Sequence, residues 1–264
     1  MFGPTHPLRY FLSYNGRKAL RAMQDLVHAG EFAHVLQLTP LAQTINQTDS
    51  PIFRNFAGVR RELFVNKITN LRLALEKING ILIEPDSVFS FWHLTGRPTA
   101  QKGYLPGLVI ERGRPAEGIG GGLCQLANMI HWLALHSDLT VTERHRHSFD
   151  IFPDDNRTVP FAGGATIVYN YKDLRLHNTT DNTYQLLFTL DENRLCGGLY
   201  AAEPQQHHYT VIERDHGFET VDGQLYRRNR IYQLRESRQS GTREEKLISD
   251  NYCRCQYSLD EVQI

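Results

Sequence analysis

Gly118-Ile119-Gly120-Gly121-Gly122-Leu123-Cys124-Gln125 is the stretch on which the fold turns. Four of the five residues from Gly118 to Gly122 are glycine, so the segment has almost no side chains and reads as a loop. Directly behind it, Leu126, Ala127, Ile130, Leu133 and Ala134 recur on one face at helical spacing, which predicts a buried helix over Leu123 to His136. Upstream, Val65 to Asn79 carries Ile68, Leu71, Leu75 and Ile78 three and four apart, with Gly80 placed as a left-handed C-cap. Before that, Leu20, Met23, Leu26 and Val27 predict a helix around Arg17 to Leu38, interrupted at Gly30.

Outside the helices the period shortens. Ile81 to Ile83, Val88 to Trp92, Gly107 to Glu111 and Leu139 to Glu143 suit strands between turn residues. So do Ala165 to Asn170, Asp173 to His177, Tyr184 to Leu190 and Tyr209 to Glu213. Asp222-Gly223 marks a hairpin, and Tyr252 to Tyr257 a last strand. The expectation is an α+β fold: N-terminal helices, then a mostly antiparallel β body with one buried helix after the Gly-rich loop. Thr39-Pro40 and the polar run Gln43 to Pro51 read as a connection, dividing a helical arm (1–60) from a main domain (61–264). That domain has its core at about 65–201 and a β-rich extension at 202–264.

Composition narrows the function classes. In 264 residues, 29 Lys and Arg balance 29 Asp and Glu, which removes the long-range positive field that nucleic acid binding draws on. No apolar run reaches the roughly 18 residues of a membrane span, and no secretory signal is visible, so a cytoplasmic location is expected. Cys124, Cys196, Cys253 and Cys255 are too few for a disulfide scaffold and are taken as free thiols. Neither a metal site nor a cofactor is expected: the C-x-C of Cys253 and Cys255 lacks a second spaced pair, and the glycines match neither nucleotide fingerprint.

Chemistry gathers at Cys124. A thiol just inside a helix start is stabilised as thiolate by unpaired N–H groups and the helix dipole, which predicts a lowered pKa. The same N–H groups suit an oxyanion, with Gln125 beside them. Glu143-Arg144-His145-Arg146-His147-Ser148 supplies two imidazoles, and spacing alone does not choose between His145 and His147. Burial as a small core residue is the competing reading for Cys124. His131 and His136 read as packed or capping residues. Trp92, with Phe89 and Phe91, reads as a groove floor or as core.

The motifs Val88-Phe89-Ser90-Phe91-Trp92, Gly120-Gly121-Gly122-Leu123-Cys124-Gln125, Glu143-Arg144 with His147-Ser148, Ala165-Thr166-Ile167 and Leu174-Arg175-Leu176-His177-Asn178 together resemble the VanW family, from about Val65 to Ala201. The tail Asp250-Asn251-Tyr252-Cys253-Arg254 resembles stand-alone members. The resemblance implies a link to peptidoglycan or glycopeptide resistance and, from larger family proteins, L,D-transpeptidation with a cysteine nucleophile. By position it assigns the nucleophile to Cys124 and the histidine to His147. The expected site is then Cys124, His147 and Gln125, with Gly120, Gly121, Gly122, Arg144, His145, Ser148 and Trp92 around a peptidoglycan stem peptide. One departure stands out. The family usually has Asp before Ala-Thr, where this chain has Gly164, so Asp150 or Asp173 would have to substitute.

Overall fold

A computed structural model describes residues 7–53, 60–111, 114–146, 149–150 and 159–258, with side chains from residue 15 onward. Helix α1 spans Pro7–Val27, ten residues ahead of the expected start, and a single 3-10 turn at Ala29–Glu31 ends it. The chain beyond is not helical, as expected to Leu38, but extended. Phe32 bridges to Val88 and Leu36 to Ile81.

Strand β1, Gln43–Pro51, occupies the stretch read as a connection. Its residues are polar because it is a half-buried edge strand, so the apolar alternation that marks a strand is missing. Helix α2 covers Arg61–Ile78 and starts four residues earlier than read, from an N-cap at Arg60 with no side-chain hydrogen bond. Strand β2 is Leu82–Ile83 and β3 is Val88–Ser90. The aromatic segment then departs from expectation, because Phe91–Thr95 forms a short helix, α3. Ser90 explains it: its Oγ accepts the His93 N–H at 3.1 Å, an N-cap between aromatic residues.

A hairpin follows, β4 (Pro106–Glu111) with β5 (Arg114–Ile119), leading into helix α4, Leu123–Ala134, the buried helix expected behind the glycines. Strands β6 (Thr140–Glu143) and β7 (Arg175–His177) pair with β3 in the order β3-β7-β6. Ala165 to Asn170, expected as a strand, is irregular; only Val168 bridges, to Lys172, and Thr166 N–H is held by the His145 carbonyl at 2.7 Å. Strands β8 (Tyr184–Leu190) and β9 (Arg194–Ala201) complete an antiparallel sheet ordered β1-β9-β8-β2. Three long strands, β10 (His207–Val221), β11 (Gln224–Ser237) and β12 (Arg243–Arg254), form a meander whose first turn is Asp222-Gly223, both at positive φ.

One large core joins these layers. Leu71, Ala74, Leu75 and Ile78 of α2 and Leu126, Ala127, Ile130 and Leu133 of α4 pack with Leu186, Leu195 and Leu199 of the four-stranded sheet. A small second core of Leu225, Cys255 and Tyr257 lies under the meander. Among the described residues no helix is long and apolar enough to cross a membrane.

Candidate functional site

The glycines at the start of α4 are there because other parts of the chain occupy the space of their missing side chains. Gly107 faces Gly118 across the β4–β5 pair, and the Gly121 backbone lies so close to Gly107 that a Cβ on Gly121 would overlap the Gly107 carbonyl group. Gly122 is the N-cap of α4 at φ 98°, and the aliphatic stem of Lys67 fills the place of a side chain. Asn70 fixes the loop from α2. Its Nδ2 donates to the Leu105 and Gly121 carbonyls at 3.0 and 2.9 Å, and its Oδ1 accepts the Leu105 N–H at 2.8 Å.

Above this loop lies a cavity of about 580 Å³. Cys124, Lys67, Trp92, Asn128, Arg146 and Phe161 are among its walls. Cys124 Sγ is 3.9 Å from the Ile167 carbonyl, to which the thiol donates. Burial pushes this thiol above its ordinary range, and neither the Ile167 contact nor the nearby Lys172 charge offsets it. This direction is opposite to the expected lowering: the half-buried Cys124 packs against the core, and desolvation of its thiol is the largest influence on it. The N–H groups of Leu123 and Cys124, at the first two helical positions, take no acceptor among the described residues.

The expected neighbours divide into wall and support. Trp92 lines the cavity, its ring edge-to-face with Tyr169 at 5.6 Å and its Nε1 donating to the Lys172 carbonyl at 2.8 Å. Gly120, Gly121 and Gly122 line it as well. Gln125 also does, but its side-chain nitrogen donates to Ser50 Oγ and the Pro51 carbonyl, both at 2.9 Å, which ties α4 to β1. Arg144 is a support. Its guanidinium binds the Gly164 carbonyl at 3.0 Å and the Ala162 carbonyl, and burial, then the Arg146 charge, lowers its pKa to about 10. His145 Nε2 pairs with Glu143 Oε1 at 2.9 Å, and the residue is not among the cavity walls. His147 and Ser148 lie outside the described residues, between Arg146 and Phe149, which both line the cavity.

Neither carboxylate considered as a substitute orienter is uncommitted. Asp150 borders the cavity but accepts from Arg227 at 3.2 Å and from the Tyr257 hydroxyl at 2.5 Å. Asp173 is fully buried and accepts from Ser90, the Trp92 N–H and Arg175, and burial raises its pKa despite those bonds. His131 and His136 are packed as read, their Nδ1 atoms on the Gly163 and Trp132 carbonyls at 2.8 and 2.9 Å. All four cysteines are free thiols.

Three site residues escaped the sequence reading: Lys67, Asn70 and Asn128. A signal existed for the first two. Leu63, Lys67, Asn70, Leu71 and Ala74 share one buried stripe of α2, and a polar residue at a core position of a helix is an informative exception. Lys67 Nζ reaches the Ile52 carbonyl, and its charge lies over the Phe64 ring at 5.2 Å.

The VanW-like protein family matches residues 66–200, which include the glycine loop, α4, Trp92 and Gly164. The chain belongs to the VanW family. It is 30% identical over 231 residues to the vancomycin B-type resistance protein VanW of Enterococcus faecalis, covering 87% of this chain and 84% of that protein. It is also 29% identical over 112 residues to the uncharacterized protein YoaR of Bacillus subtilis, covering 41% of this chain and 34% of that one. No solved structure gives a significant match. The VanW-matched residues hold the walls contributed by α4 and the β4–β5 hairpin and, from α2, Lys67, whereas Leu63 and Phe64 of α2, with α1, β1 and the β10–β12 meander, lie outside them.

Proposed function

We propose that this VanW-family chain performs thiol-dependent acyl transfer or amide hydrolysis on a cell-wall stem peptide, with Cys124 as nucleophile. The observation that carries the reading is a thiol on the wall of a 580 Å³ cavity beside two backbone N–H groups that take no acceptor among the described residues. The similarity to a vancomycin resistance protein supports a cell-wall substrate. Burial favours the neutral thiol, so the reaction needs a base once substrate is bound, and His147 is the family-position candidate. The proton passes from Sγ to the imidazole as Sγ bonds to the peptide carbonyl carbon. The oxyanion is met by the N–H groups of Leu123 and Cys124. Collapse breaks the C–N bond, the amine leaves with the proton, and a thioester remains for a second amine or for water. Gln125 positions α4 rather than holding the oxyanion, because its N–H groups are engaged with β1.

Burial of the thiol favours a second reading, a site that binds the same peptide without reacting. Turnover and affinity measured on a stem pentapeptide for wild type, Cys124→Ala and His147→Ala separate the two. The enzyme reading predicts a kcat/KM lower by about 10³-fold or more in Cys124→Ala, with affinity within a few-fold. Binding by the wild type without turnover, unchanged in Cys124→Ala, would establish the second reading instead.

A further inference from the structure

Asn128 stands one helical turn beyond Cys124, so the two side chains share a face of α4, and both are walls of the cavity. The Ala165 N–H at its Oδ1 fixes which way the amide is turned. Its Nδ2 carries two N–H groups, and these take no acceptor among the described residues. A second group beside it is also unfilled. Thr166, 8% exposed and a wall of the same cavity, has a buried hydroxyl without a partner among the described residues. Buried polar groups are ordinarily bonded, so this one marks a place that a ligand completes.

Charge gives the ligand its sign. Arg146 lines the cavity, and its guanidinium donates to neutral oxygens, the Asp250 carbonyl at 2.5 Å and Asn251 Oδ1 at 2.7 Å. Arg144, not itself a wall, binds the carbonyls of the wall residues Ala162 and Gly164 and meets no carboxylate among the described residues. The acids of the wall are matched. Asp49 pairs with Arg194, Asp150 with Arg227, and Glu111 stands opposite Arg114 across the β4–β5 hairpin. The two arginines thus leave an unmatched positive charge, and the donors beside it suit a carboxylate.

We propose that Asn128 determines which peptides the cavity takes, its Nδ2 donating to the C-terminal carboxylate of a peptide lying against Cys124 while Arg146 supplies the opposite charge. This rests on the peptide reading of the cavity given above and not on the transfer chemistry at Cys124. The C-terminal carboxylate is the anion that every linear peptide with a free end carries. One helical turn, about 5–6 Å between Cβ atoms, is a spacing that a single peptide residue spans.

Calorimetric binding to the full chain carrying Cys124→Ala, where no turnover intervenes, tests the proposal. The probes are a stem pentapeptide whose terminal carboxylate is its only one, and the same peptide as its C-terminal carboxamide. Asn128→Asp is the informative change: one oxygen still accepts the Ala165 N–H, while the other replaces the donors and repels a carboxylate. With Asn128 in place the acid is expected to bind at least about tenfold more tightly than the amide. Asn128→Asp should abolish that preference and weaken the amide by no more than about threefold. Arg146→Gln, at an exposed side chain, should likewise weaken the acid more than the amide, and it carries the test if Asn128→Asp fails to fold. Equal affinity for acid and amide before substitution, or equal losses for both after it, overturns the proposal, and so does binding of neither peptide. Selective binding of the acid, joined with no acyl transfer in the wild type, would refute the nucleophile and leave Asn128 its role.

Discussion

Asn128 fills the space of a side chain on Gly164. Its Oδ1 accepts the Ala165 N–H at 2.7 Å, and a Cβ on Gly164 would overlap that same oxygen. Gly164 is not at positive φ, so the position is closed by packing rather than by backbone conformation. An Asp at position 164, which the family resemblance leads one to expect, and this chain's Asn128 would therefore compete for one place on the cavity wall.

Gly164→Asp alone is accordingly expected to cost roughly 1–3 kcal/mol and to leave Cys124 no more reactive. Adding Asn128→Ser, which shortens the obstructing side chain, should return at least half of the loss. Urea midpoints of both variants check this. A stable single variant with faster Cys124 alkylation would show that the space is available after all.

The pH dependence of Cys124 follows from its burial. With the thiol raised, alkylation in the native protein should be slower at pH 7 than in the unfolded chain and still climbing past pH ~9, where an ordinary thiol near 8.5 is levelling off. The folded state keeps the proton longer than the unfolded state, so this group's contribution to stability falls as pH rises above ~8.5. Site-resolved alkylation by mass spectrometry reads the profile, and a plateau near neutrality would contradict it.

Gly121→Ala should destabilise the protein by about 2–4 kcal/mol, because the added methyl meets the Gly107 backbone, which has no rotamer to yield. Gly118→Ala is the control: its methyl would meet Val109 side-chain carbons at 3.1 Å, and those can adjust. Thermal melts of the pair should separate by several degrees, and equal melts would refute the close approach.

His131 gives the acid-side counterpart. Burial, with the Arg144 charge, lowers its pKa to about 3, against ~6.5 in the unfolded chain. Between those values the unfolded state binds the extra proton, so this contribution is complete above pH ~6.5 and is lost as pH falls toward 3, at no more than about 1.4 kcal/mol per unit. His131→Asn retains a donor for the Gly163 carbonyl without titrating. Its stability should vary less than that of wild type between pH 7 and 5, and equal slopes would place the titration elsewhere.

The legible parts of this molecule were those where side-chain pattern and environment agree. The stripe Leu126, Ala127, Ile130 and Leu133 marked α4, the Asp222-Gly223 pair marked the β10–β11 turn, and the glycines marked the cavity floor. β1 was hidden because a half-buried edge strand keeps its polar residues. α3 was hidden because Ser90 caps a helix inside an aromatic run that otherwise suits a strand. At the site, sequence singled out the thiol that lines the cavity but not its surroundings. Its ionisation depends on Ile167 and on burial, which come from 43 residues away and from the whole core. Lys67 and Asn70 were within reach, as polar members of an apolar stripe; Asn128 was not, since only the fold brings it to Gly164.

Intact-mass analysis of the wild-type protein, quenched in acid after seconds with a stem pentapeptide, tests the central claim most directly. The account predicts a covalent acyl adduct that maps to Cys124, is absent from Cys124→Ala, and decays when an acceptor amine is added. A wild-type mass that stays unmodified while the peptide is bound, or an adduct on Cys196, Cys253 or Cys255, would contradict it.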